Sequence, residues 1–204
     1  MKQLMKISFV TLLMAFAHQA NAEELSKAGL FVEPMVTYQT GDTKLDYPAP
    51  LDSSEEHVKG LGLGVRLGFH VWESVFLGVD ARYSMPRYES SALDEAADAK
   101  AYNGGITLGA QTPVAGLRVW GTYLLTGELD PEGIGQVDVK YKDLKGYRIG
   151  AGLYIGVVSL NLEYENSKYD TTEFEKLGPI SGDTDDITGD NKYYILSVSF
   201  PVSL

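Results

Sequence analysis

Eight stretches of this chain alternate between two kinds of side chain, and every charge within them falls on one parity. Successive residues of a β-strand point to opposite faces, so such sorting is a statement about two faces of a sheet. One parity reads Leu30, Val32, Pro34, Val36 and Tyr38 in the first stretch. It continues through Leu61 to Val71, Val75 to Tyr83, Tyr102 to Ala110, Leu117 to Leu125, Tyr147 to Ile155, Val158 to Tyr164 and Tyr194 to Leu204, always on every second residue. None of these positions is charged. The opposite parity holds Glu33, Arg66, His70, Asp80, Arg82, Arg118, Arg148, Glu163 and Glu165 among Gly, Ser, Thr, Asn and Gln. An Arg or Lys facing lipid near mid-membrane costs about 2–4 kcal/mol, which gives the sorting a physical cause.

A soluble calyx also alternates, with its apolar face turned inward. Tyrosine placement separates the two cases. Short links follow the second, fourth and sixth stretches, at Trp72-Glu73-Ser74, Thr112 to Gly116 and Gly156-Val157; the other links are long and polar. With the long links at one end, seven stretches place an apolar-parity tyrosine near that end: Tyr38, Tyr83, Tyr102, Tyr123, Tyr147, Tyr164 and Tyr194. A ring of tyrosines at one level is the girdle of a lipid–water interface. The expected fold is all-β: an eight-stranded antiparallel up-and-down transmembrane β-barrel with acidic surface loops.

The N-terminus reads as an address. Lys2 and Lys6 precede an apolar run from Ile7 to Ala17, and Ala20-Asn21-Ala22 ends it with a small-residue cleavage pattern. A signal peptide over 1–22 and a barrel over 23–204 are expected, with export to the cell outer membrane. The chain has no Cys, which excludes a thiolate metal site, a Cys nucleophile and a disulfide framework. Its formal net charge of −11 repels nucleic acid.

Taken together, these features resemble the small eight-stranded outer-membrane barrels of the OmpA transmembrane-domain and OmpX type. The resemblance covers the whole mature chain and rests on strand number, alternation, the leader and the last stretch, Tyr194-Ile195-Leu196-Ser197-Val198-Ser199-Phe200. Such proteins end on an aromatic residue read by the outer-membrane assembly machinery; here Leu204 is last and Phe200 lies four residues earlier. The resemblance implies a monomer surrounded by outer-membrane lipids and lipopolysaccharide, with no cofactor and no periplasmic domain after the barrel. It leaves the extracellular partner open.

The inward charges comprise four arginines and four carboxylates. A regular hairpin sets Arg66 opposite Asp80, and the turn at Gly156-Val157 brings Arg148 near Glu163 and Glu165. An eight-stranded barrel is just wide enough for side chains to fill it. The network therefore reads as a filled core rather than a narrow porin-like path. A lipid A-modifying enzyme is the third reading, resting on His57 with Ser53, Ser54 and Glu55 and, from the next long link, Ser90 or Ser91. No catalytic residue and no metal site is assigned: His57 reads as a solvated histidine, and Asp183, Asp185, Asp186 and Asp190 lack the spacing of a calcium loop. Gly60-Leu61-Gly62-Leu63-Gly64 lies within an alternating strand, which excludes a nucleotide loop.

Overall fold

The computed structural model describes residues 29–204 apart from 51, 73, 91–94, 113–115, 134–136, 156 and 178–179. The expected signal peptide lies outside the described residues. At 90, 95, 137, 175–177, 180–181 and 183 only the backbone is described. The strands are β1 (Leu30–Asp46), β2 (Ser54–Trp72), β3 (Val75–Ser90), β4 (Glu95–Gln111), β5 (Leu117–Pro131), β6 (Val137–Ile155), β7 (Val158–Leu177), β8 (Ile180–Thr184), β9 (Thr188–Ser199) and β10 (Val202–Ser203). Each neighbouring pair is antiparallel, and β9 pairs with both β7 and β1, which closes the sheet on itself. β8, β9 and β10 run end to end as the last stave; β9 and β10 keep one register on β1, with Met35 opposite Ser199 and Val32 opposite Val202. The result is a closed eight-stranded up-and-down barrel.

The apolar parity faces outward. Leu61, Leu108 and Tyr194 are each about 60% exposed, and among the described outward set only Val202 is buried. Six of the seven girdle tyrosines stand directly opposite one another across strands, as Tyr83–Tyr102, Tyr123–Tyr147 and Tyr164–Tyr194. The last pair has ring centroids 5.5 Å apart.

The long polar links are not loops over most of their length. β1 to β7 have 15 to 20 residues, where about 9–11 cross a membrane. The excess lies on the long-link side, so the barrel rises beyond the girdle as a continuous wall. Its sorting is inverted there: Leu45, Val58, Tyr88, Leu129, Tyr141 and Tyr169 turn inward and are buried, while Lys44, Arg87, Asp98 and Lys100 are exposed. Water on the outside demands this change, just as hydrocarbon demands the opposite below. β5, β6 and β7 change phase at one level: Leu125 and Thr126 are both exposed, Lys142 and Asp143 are both outside the core, and Tyr169 and Thr172 are both buried. Asp143 takes the left-handed conformation there, with φ 58°.

Candidate functional site

The lumen is filled in three layers. At the short-turn end Phe31, Phe76 and Trp120 form a buried apolar cluster. Each ring sits directly opposite an inward glycine: Phe31 on Gly68, Phe76 on Gly109 and Trp120 on Gly150. A Cβ at Gly109 would lie 2.2 Å from the Phe76 ring, and one at Gly150 would lie 2.5 Å from Trp120. These glycines exist to seat rings. His70 packs on Phe31 at 5.1 Å between centroids and ends this layer.

The middle layer is ionic and fully enclosed. Arg118 grips Glu33 with two bonds of 2.7 and 2.9 Å, and Ser199 donates to the same carboxylate at 2.6 Å. Asp80 is the hub: Arg66 reaches it at 3.0 Å, Arg82 at 2.8 Å and Arg148 at 3.1 Å. Arg82 also holds Glu163 with bonds of 2.5 and 2.9 Å, and Trp120 Nε1 donates to Glu163 at 2.7 Å. Arg148 holds Glu165 at 2.6 Å and Asn103 at 2.9 Å. Arg66 joins the halves, with Glu33 at 3.3 Å and Glu163 at 3.7 Å, and its guanidinium lies 4.9 Å from the Trp120 ring centre. Four positive and four negative groups cancel, and each has at least one charge-assisted bond, the condition under which buried ions are tolerated. Sequence reasoning places Arg66 opposite Asp80, as found. It places Arg148 near both Glu163 and Glu165: Arg148 does bond Glu165, while Glu163 is bonded by Arg82 and Trp120. The pairs Arg118–Glu33 and Arg82–Glu163 join strands distant in sequence, and only the closed barrel brings them together.

Above this layer the extension has its own core, continuous from Ile195 and Tyr193 up to Leu45 and Leu129. Tyr88 and Tyr141 share a hydrogen bond there, and burial pushes both phenols, with Tyr169, well above their ordinary value of 10.0. Glu56 is buried in the same region and accepts a bond from Ser54 at 2.9 Å.

Among the described side chains His57 meets no serine. It points outward on β2, its Nδ1 2.8 Å from Asp42 and its Nε2 3.4 Å from the Thr40 hydroxyl, all on an exposed face. Thr40 lies within a regular strand pairing whose amides belong to the ladder. Ser91 and the side chain of Ser90 lie outside what is described. Asp185 accepts from Thr171 at 3.0 Å, and no group of three or more potential metal ligands occurs among the described residues.

An outer band of exposed apolar side chains, a tyrosine ring at one rim and an ionic interior define the molecule's solvent on each face. This is a membrane-type β-barrel. Comparison with family models and with curated proteins yields no match. Among solved structures the chain is similar to Neisserial surface protein A, at 15% identity over 86% of this chain and 97% of that one, with a TM-score of 0.48. It is also similar to the outer membrane protease OmpT of Escherichia coli (10%, 86% and 97%, TM-score 0.42). A third is the COG4313 outer membrane channel of Pseudomonas putida F1 (10%, 87% and 96%, TM-score 0.32). At these identities the likeness concerns the barrel fold alone.

Proposed function

We propose that this chain is exported through a cleaved leader and serves as a non-enzymatic integral protein of the outer membrane. Its role is structural and surface-presenting: a sealed barrel anchors a stiff β-walled extension beyond the lipid. The observation that carries this reading is the stacking of fill across the lumen. An aromatic plug, a neutral network of four arginines and four carboxylates, and an apolar upper core succeed one another along the axis. An ion entering such a core would have to displace paired charges in a confined, poorly solvated interior, where breaking one pair costs about 3–5 kcal/mol. The extension shares its strands with the membrane part, so contacts made at its rim are held on a rigid scaffold.

Planar-bilayer recording of the purified protein tests the reading. The expected result is no steady conductance at any applied voltage short of membrane breakdown. Reproducible unitary steps in the unmutated protein would replace the sealed barrel with a channel.

A further inference from the structure

Gly121 stands on the outward parity of β5, within the band of exposed apolar side chains. Its backbone does not call for glycine: positive φ is found at Gly116, Gly146 and Gly182, not here. No close contact calls for it either. A Cβ at Gly121 would meet nothing within 4 Å, whereas one at Gly109 or Gly150 would strike a ring. Glycine inside a strand weakens it, and its usual reason is the close approach of something to the backbone. Nothing in the chain makes that approach.

The room beside Gly121 has definite walls. Leu108 stands directly opposite it on β4 and Ile149 on β6, and both are more than half exposed. One row nearer the long-link end, Ile106, Tyr123 and Tyr147 stand in register. With Gly121 as the floor, these side chains border an apolar groove of about 560 Å³, a size in the range of roughly 300–1,000 Å³ for small-molecule sites. The hollow beneath Tyr83 is smaller, about 400 Å³, and side chains at Pro34, Val65 and Ala81 build up its floor. The two tyrosines at the head of the larger groove also differ from their neighbour. Tyr102 donates its hydroxyl to Glu128 at 3.1 Å, while those of Tyr123 and Tyr147 bond no described residue.

We propose that this groove holds one acyl chain of a membrane phospholipid, whose ester carbonyl accepts a hydrogen bond from Tyr123 or Tyr147. The inference rests on the barrel spanning a membrane. Hydrocarbon is the chemistry that reaches this band, and a chain lying in a groove touches protein on more sides than one lying on a flat wall. Within lipid, packing of this kind drives association, and small residues permit the close approach it needs. A protein partner fits less well. A stable interface takes about 800 Å² and 20–30 residues a side, whereas eight residues line this trough.

Native mass spectrometry of the full mature chain in detergent tests the proposal, with palmitoyl-oleoyl phosphatidylcholine titrated in. The unmutated protein is expected to take up one phospholipid well ahead of a weaker series. Gly121→Leu, which fills the groove, weakens that first step by about tenfold or more. Tyr123→Phe with Tyr147→Phe weakens it by about threefold, the worth of one hydrogen bond. Val198→Leu, which enlarges the outward face of β9 on the far wall, leaves it unchanged. Heat-modifiable gel mobility reports folding, and should Gly121→Leu fail to fold, the phenylalanine pair decides alone. A first step as strong in Gly121→Leu, or in the phenylalanine pair, as in the unmutated protein overturns the proposal. Equal weakening by Val198→Leu does the same. So does displacement of the phospholipid by an equal concentration of palmitate, which would assign the groove to free fatty acid. A dimer that Gly121→Leu abolishes would give the groove to a second copy instead. A chain that stays folded and dispersed without detergent refutes the membrane reading beneath.

Discussion

Replacing Asp80 with Ala removes the carboxylate that three arginines share. The three do not suffer equally. Arg82 keeps Glu163 at 2.5 Å and Arg148 keeps Glu165 at 2.6 Å. Arg66 is left with its longest contacts, 3.3 Å to Glu33 and 3.7 Å to Glu163, while buried to 1% exposure. The cost is therefore that of one buried guanidinium stripped of its main partner, about 3–5 kcal/mol. With an m-value of about 2 kcal/mol per molar urea, the midpoint of unfolding from detergent micelles falls by roughly 1.5–2.5 M. Trp120, which rests against both Arg66 and Glu163, reports the transition by its fluorescence. Adding Arg66→Met to Asp80→Ala recovers at least a third of the loss, because the stranded charge goes with it. The exposed pair Lys145–Asp170 supplies the control, and Asp170→Ala leaves the midpoint in place. A shift for Asp80→Ala no larger than that control, or a double variant weaker than the single, refutes the ionic-core argument.

Gly150→Ala drives a methyl into the Trp120 ring and costs about 1–3 kcal/mol, read as a lower thermal midpoint together with a changed Trp emission maximum. Leu108→Arg places a cation on the lipid face and costs about 2–4 kcal/mol in vesicles, measured by urea titration, with little effect in zwitterionic micelles thin enough to let the side chain reach water. Tyr88, Tyr141 and Tyr169 have phenols raised above 10.0 in the folded protein, so their neutral forms are bound more tightly by the fold. Their contribution is fully present below pH 10 and is lost as pH climbs through the raised values. Stability should be level to about pH 9 and fall above about pH 10. Ultraviolet titration should show these phenolates appearing only as the extension unfolds.

Alternation made the barrel legible because hydrocarbon and lumen impose opposite demands on adjacent residues. It made the hairpin pair Arg66–Asp80 legible too, since a tight turn fixes register. Which distant side chains closure brings together was not legible. Strand tilt and stagger decide that Arg118 of β5 meets Glu33 of β1, and neither quantity is written in local sequence. The extension was hidden for a different reason. Past the girdle the polar parity becomes the exposed one, so a strand there looks like a hydrophilic loop. In β5, β6 and β7 a phase change puts Leu129 and Tyr141 out of step with Leu125 and Tyr147. The residues that would have revealed it are Leu45, Val58 and Tyr88, one on the inward parity of each of β1, β2 and β3 beyond the girdle. The role of Gly68, Gly109 and Gly150 likewise depends on which ring stands opposite each.

The central claim is that the outer face changes solvent at the tyrosine ring, oily below and aqueous above. With no native Cys to interfere, single nitroxide labels along β4 at Asp98, Lys100, Ile106, Leu108 and Ala110 in vesicles measure this directly by power saturation. The account predicts oxygen-accessible, nickel-protected labels at 106, 108 and 110 and the reverse at 98 and 100, with the crossover at Tyr102. A uniform water signature along the strand, or a lipid signature at 98, would contradict it.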